Sequence, residues 1–368
     1  MYAGAYLGPF GGGVTSAMLP ELGATFGVPS GAASLSVTAY LLPFAGLMLF
    51  SGTWGARWGR RRTVVVAYAV YVVASVACVL APTWPLFLAG RAGQGLANAF
   101  TTPLLLAALA GATAPDRLGR VLGWFGSLQA AGQTSAPLFG GLAAEVDWRL
   151  AFGAVAGVAA VLAVLGIPTG RTEPGRPTLR SALRLDVLRL GLVAAVGWGW
   201  LAGLGFLIAL RLEDDFGLGA GQRGLVLTAF GVAGLLAAPL VGGGMNRVGS
   251  RRSVLLGSGL GVLVLVGVGL APSVWLVVGL WAVGGVATQL VLVGTNTLVL
   301  GSGRANAGGA TSVVQAVRFG GASVAPVVFT PVYQADPLAA FLAPAAAIAV
   351  VLPLALPRPP RAEGPPAR

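Results

Sequence analysis

Gly52-Thr-Trp-Gly-Ala-Arg-Trp-Gly-Arg-Arg-Arg-Thr-Val64 returns 190 residues later as Gly242-Gly-Gly-Met-Asn-Arg-Val-Gly-Ser-Arg-Arg-Ser-Val254. Both copies lie between long apolar runs and share the glycines at 52/242 and 59/249 and most of the arginines. A second pattern, Gly132-x-x-x-Ala136-Pro137, returns as Gly321-x-x-x-Ala325-Pro326 at an offset of 189. Two unrelated patterns at nearly one offset indicate an internal duplication. Parallel repeats about an axis along the membrane normal are a transporter design, with the substrate site between the halves near the midplane.

The surrounding composition places the duplication in a bilayer. Of 368 residues, 56% are hydrophobic and 9% charged, whereas a soluble domain carries about 25% charged residues. Twelve apolar runs are broken by Arg, Pro or acidic clusters, giving candidate helices at 2–22, 34–55, 63–82, 84–112, 119–143 and 150–167, then 188–210, 222–244, 253–271, 274–300, 305–332 and 337–356. The expected organisation is an N-terminal six-helix half (1–167), a linker loop rich in Pro, Gly and Arg (168–187), a C-terminal six-helix half (188–356) and a tail (357–368). No basic segment precedes the first run and no cleavage site ends it, so that helix is expected to stay in the mature protein.

All 23 basic residues are Arg, and the net charge of +12 follows topology. Loops after even-numbered helices, with their flanks and the tail, hold 18 Arg; the opposite loops hold only Arg149, Arg211 and Arg223. Those opposite loops carry seven of the eleven acids: Glu21, Glu145, Asp147, Glu213, Asp214, Asp215 and Asp336. The positive-inside rule then predicts a multi-pass protein of the cell (inner or plasma) membrane with both termini cytoplasmic. Nucleic acid is not an expected partner, because the basic balance is a topology signal.

Here the residues resemble the major facilitator superfamily. Gly52 to Arg62 is similar to its loop motif G-x-x-x-D-R-x-G-R-R between helices two and three, with a second copy between eight and nine. Arg91-Ala-Gly-Gln94-Gly95 resembles the fourth-helix motif R-x-x-Q-G. Gly132-x-x-x-Ala136-Pro137-x-x-Gly140-Gly141 resembles the fifth-helix antiporter motif. Thr38-Ala-Tyr40 and Asp147-Trp-Arg149 also look like the drug-efflux branch of proton antiporters. The resemblance covers nearly the whole chain. It implies an all-α integral membrane fold of twelve transmembrane helices in two six-helix halves. It also implies gating or coupling roles for Arg57, Gly59, Arg91, Asn246, Arg247 and Gly249. At the loop motif's acidic position the copies have Ala56 and Asn246; Ala56 cannot make the implied gate contact, and Asn246 can only hydrogen-bond. Gly11 stands where one efflux branch has a first-helix acid.

Two charges fall well inside spans, Arg91 and Arg318. Each costs about 2.5–3.5 kcal/mol at a helix centre, so each is expected to face the bundle interior or a watery cavity. Arg91, Gln94, Asn98 and Thr101 form one polar stripe on helix four, and Thr311, Gln315 and Arg318 form another on helix eleven. Either Arg could instead bind backbone carbonyls and lock helices together. Gln129 and Gln133 share a face of helix five, Gln289 and Asn296 one of helix ten. With Tyr40, these amides and Arg318 are the substrate-binding candidates, or else interhelical hydrogen bonds. Trp198 and Trp200 could form aromatic walls or interfacial anchors. Gly132, Ala136, Pro137, Gly140 and Gly141 read as a close-packing spine.

There is no His, and the single Cys78 sits in an apolar run as a small buried hydrophobe. With no mid-span acid pair and no P-loop, neither an enzyme nor a nucleotide-driven pump is expected, and no cofactor or metal. No Asp or Glu lies mid-span; Glu21, at the end of helix one, is the preferred group for proton coupling, ahead of Glu145. The leading expectation is a monomeric secondary transporter in the lipid bilayer, exporting a small amphipathic or drug-like molecule by alternating access, with protons as a candidate second partner. A proton-independent facilitator or exchanger of an organic anion or metabolite, and a non-transporting scaffold or channel, remain as alternatives.

Overall fold

In the computed structural model, which describes residues 1–167, 184–300 and 307–357, every element is helical. The described residues form twelve successive helical runs. The first is Tyr2–Gly13 continued by Leu19–Phe26; the second is Leu35–Trp58, entered by the short helix Ser30–Ala33. Then come Arg60–Leu80, Trp84–Gly111, Pro115–Ala144 and Arg149–Leu165. The seventh run spans Leu185 to Asp214 in four pieces. The remainder are Ala220–Val248, Ser250–Leu270, Val274–Leu300, Ala307–Ala335 and Pro337–Ala355. The expected Arg171, Arg176, Arg180, Arg304 and the tail's Arg358, Arg361 and Arg368 lie outside the described residues, as does most of the linker.

The duplication is visible in the backbone. The third and ninth runs begin at Arg60 and Ser250 and end at Leu80 and Leu270, so both ends differ by 190 positions. The turn before each is a single glycine in the left-handed region, Gly59 at φ 84° and Gly249 at φ 81°. An L-residue with a side chain is strained there, which explains a fixed Gly in both copies.

Two runs differ from expectation. The first span is not one helix over 2–22: it breaks at Val14–Met18, and Pro20 sits in the first turn of the second piece, where its missing N–H costs nothing. The seventh contains a π-helical segment, Ala195–Trp200. Such wide turns insert a residue into the helical register and commonly mark functional positions.

Apolar side chains point outward as well as inward, as they must in lipid. Val164 is 86% exposed and Leu240 78%. Among the described residues, eight helices are long and apolar enough to cross a membrane by themselves. Since lipid is as apolar as leucine, helix association rests on close packing and interhelical hydrogen bonds. Gly141 illustrates the packing: a Cβ there would lie 2.2 Å from the carbonyl oxygen of Ala220 on the eighth run. Cys78 is fully buried, its Sγ directed at the Phe87 carbonyl at 3.8 Å.

Candidate functional site

A cavity of about 890 Å³ lies between the first six runs and the last six. Its wall takes in Tyr40, Asn98, Gln129 and Gln133 from one side and Gln289, Asn296, Gln315 and Arg318 from the other. Aromatic rings of Phe44, Trp198, Phe319 and Trp281 complete it. The wall runs down to Gly52 and Arg60 beside the Arg-rich turn and stops short of Glu21, Glu213 and Arg223. Among the described residues it contains Arg60 and Arg318 and neither Asp nor Glu.

Of the residues expected to bind substrate, Gln94 alone is away from this wall. It is fully buried, accepting from Arg91 Nη1 at 2.7 Å and donating to Ser75 Oγ at 2.8 Å. Arg91 is 0% exposed and is consumed by the first and second spans. Its Nη1 donates to the Gly11 carbonyl at 2.8 Å, Nη2 to Gly12 at 3.4 Å and Nε to Ser36 at 3.2 Å. The guanidinium lies 4.6 Å from the Tyr40 ring centroid, and Tyr40 in turn donates to the Gly8 carbonyl at 2.7 Å. The geometry is that of a helix lock. Asn98 lines the cavity with its Oδ1 accepting from Thr101 and Thr102 at 3.1 and 3.0 Å.

Arg318 has a different environment. It is 7% exposed, lies 4.1 Å from the Trp198 ring centroid and 4.5 Å from that of Phe319, and its Nε has no hydrogen-bond partner. No ion-pair partner stands beside it among the described residues. Trp198 belongs to the π-helical segment, and Phe319 meets Phe44 of the second span edge-on at 4.9 Å. Trp200 packs instead against Phe329.

The opposite end is sealed. Arg223, 2% exposed, donates from Nη2 to Glu21 Oε1 at 2.5 Å, from Nε to the Ala17 carbonyl at 3.1 Å and from Nη1 to Leu218 at 3.2 Å. Glu213 Oε2 lies 3.6 Å from Nη1. One cation thus joins the start of the eighth run to the break in the first. Ser34 and Thr330 share a hydrogen bond of 2.8 Å, and Thr38 donates to the Ser323 carbonyl at 2.7 Å, closing the second run on the eleventh. Glu145 Oε1 accepts from the Gly221 N–H at 3.1 Å.

The remaining candidates lie away from the cavity or at its edge. Arg57 and Arg247 are exposed beside the Gly59 and Gly249 turns, and of Asn246 only the backbone is described. Along the fifth run, Gly132 and Gly140 lie against the Tyr6 and Val14 carbonyls of the first, Gly141 against the eighth, and Ala136 is fully buried. Pro137 lines the cavity.

Sequence reading missed Arg223, which looked like a loop charge, along with Arg60 and the ring of Phe319. The cross-half partner of Arg223 is 202 residues away, beyond any local pattern. For Phe319 a signal was present: it adjoins a charge that needs an aromatic or polar neighbour.

The family profile described as Major Facilitator Superfamily matches residues 1–210 and 190–368. The chain is 34% identical over 136 residues to the uncharacterized MFS-type transporter EfpA of Mycobacterium tuberculosis, covering 36% of this chain and 26% of that protein. It is 32% identical over 203 residues to the puromycin resistance protein pur8 of Streptomyces alboniger, covering 51% of this chain and 40% of that one. These alignments therefore span well under half the length of either relative. Among solved structures, a bacterial homolog of the human lysosomal transporter Spinster, in an inward-facing and occupied conformation, superposes with a TM-score of 0.75 at 16% identity, covering 96% of this chain and 93% of that one.

Proposed function

Because the chain belongs to the Major Facilitator Superfamily, we propose that it is a secondary transporter that works by alternating access and exports a small amphipathic or drug-like molecule. The observation that carries this reading is a large cavity, walled by both halves, that extends toward the Arg-rich turn and ends below the Arg223 seal. With the Arg-rich side cytoplasmic, as the positive-inside rule requires, the cavity loads from inside a cell-membrane protein. Similarity to a puromycin resistance protein favours a drug-like cargo. Amides of Gln129, Gln133, Gln289 and Asn296 orient it among aromatic walls, the usual make-up of a small-molecule site.

Release to the other side requires the seal to part. Arg223 must leave Glu21 and the Ala17 carbonyl, and the second and eleventh runs must give up the Ser34–Thr330 and Thr38–Ser323 contacts. Glu21 is the proposed proton-coupling group for a specific reason. A proton on its carboxylate removes the charge that Arg223 binds and so weakens the seal, leaving Arg223 to Glu213 and the Ala17 and Leu218 carbonyls. External acidity then favours the open seal.

Counterflow of radiolabelled puromycin and a panel of cationic and anionic dyes in proteoliposomes tests the transport reading; saturable exchange is expected, and its absence across the panel overturns it. A pH jump tests the coupling. Cargo-driven proton movement that Glu21→Gln abolishes supports antiport at this residue, whereas exchange indifferent to the pH gradient replaces it with a proton-independent exchanger.

A further inference from the structure

We infer that Arg318 is an anion-binding subsite and that the chain's cargo is an aromatic or otherwise apolar molecule carrying a carboxylate, sulfonate or phosphate group. The inference rests on the transporter reading only for the movement of that anion; the binding site stands on its own geometry.

A guanidinium removed from water needs acceptors, and a buried charge without them is expensive. Arg91 shows how this fold satisfies one, with three main-chain carbonyls and an amide oxygen. Arg318 is nearly as buried, yet its Nε donates to nothing and no carboxylate faces it among the described residues. What holds it is two ring faces, Trp198 at 4.1 Å and Phe319 at 4.5 Å. Rings offset part of the desolvation but accept no in-plane N–H bond.

The cavity wall supports the same sign. Among the described residues its charged members are Arg60 and Arg318, with no acid to attract a cation. Fixed positive charge in a low-dielectric cleft concentrates anions and repels cations. Gln315, one turn before Arg318, lines the same cavity, and its amide nitrogen is a further donor for an anion there. A planar anion can bond the Arg318 donors while its apolar body lies against the wall that Phe44, Phe319 and Trp198 form by packing on one another.

The test is calorimetric titration of the purified full chain with 2-naphthalenesulfonate and with uncharged 2-naphthalenesulfonamide, which share one ring system. The sulfonate is expected to bind at least ten-fold tighter. Arg318→Gln is expected to erase that preference and Arg318→Lys to keep part of it. Equal affinities in the unaltered chain, no sulfonate binding, or a preference that survives Arg318→Gln each overturn the assignment; the first two need no variant to fold. Repeating the titration in nanodiscs of phosphatidylcholine, with and without phosphatidylglycerol, separates the source of the anion. A soluble anion binds equally in both, and a lipid anion competes in the second. Carboxyfluorescein counterflow in proteoliposomes then separates the two readings: anion binding without counterflow keeps the subsite and overturns transport.

Discussion

Arg91 in the first half and Arg318 in the second are both buried within spans, and the two are used in opposite ways. Arg91 is knotted into the first half: Gly11 and Gly12 carry no side chains and let it reach their carbonyls, while Ser36 and Gln94 take the rest. Arg318 rests on rings in the second half and shows its donors to a cavity. The same residue type, buried in both places, is a rivet in one half and an open hand in the other. The difference lies in what the neighbouring backbone offers, since burial is equal within a few per cent.

The largest effect should come from cutting the rivet. Arg91→Ala leaves several buried carbonyls without a donor and opens a void, and each such unsatisfied group typically costs about 1–3 kcal/mol. Arg318→Gln orphans no hydrogen-bond or ion-pair partner among the described residues and relieves an unpaired charge. Thermal unfolding in detergent should therefore fall sharply for the first and stay level or rise for the second. Equal losses would break the comparison.

A smaller contrast sits one turn away from each. Gln94→Leu removes both the bond to Arg91 and the bond to Ser75, which predicts a loss of about 1–3 kcal/mol by the cost of unsatisfied groups. Gln315→Leu removes an amide oxygen that has no partner, so stability should hold while cargo binding weakens. Denaturant titration and ligand titration read the two halves of that statement. The smallest expected change is Ser75→Ala, the outermost link of the Arg91 network, at about 0.6 kcal/mol as for a typical bond between membrane helices. A loss as large as that of Gln94→Leu would mean that the network acts as one unit.

Much of this was readable before the structure. The 190-residue repeat anticipated matching helix ends at Leu80 and Leu270 and two glycine turns of nearly equal φ. Polar residues at helical spacing in apolar runs led to most of the cavity wall, because a bilayer tolerates amides only where they face protein or water. The division between Arg91 and Arg318 was not readable. Both belong to similar polar stripes, and helical spacing says which residues share a face without saying whose carbonyls wait opposite. Gln94 was misplaced for that reason. The Arg223 seal was hidden too, since its partners come from a break in the first span that the apolar run over 2–22 conceals. The π-helical segment at Ala195–Trp200, which carries Trp198 to Arg318, leaves only two glycines as a trace in the sequence.

Cys78 has a practical consequence. Its thiol is sealed between the third and fourth runs against the Phe87 carbonyl, so maleimides should not reach it in the folded chain. Any cysteine introduced on either side of the cavity becomes the only reactive one, with no native residue to remove first. Spin labels placed at the Arg-rich turns and beside the Arg223 seal would therefore report how far each end travels in an otherwise unaltered protein.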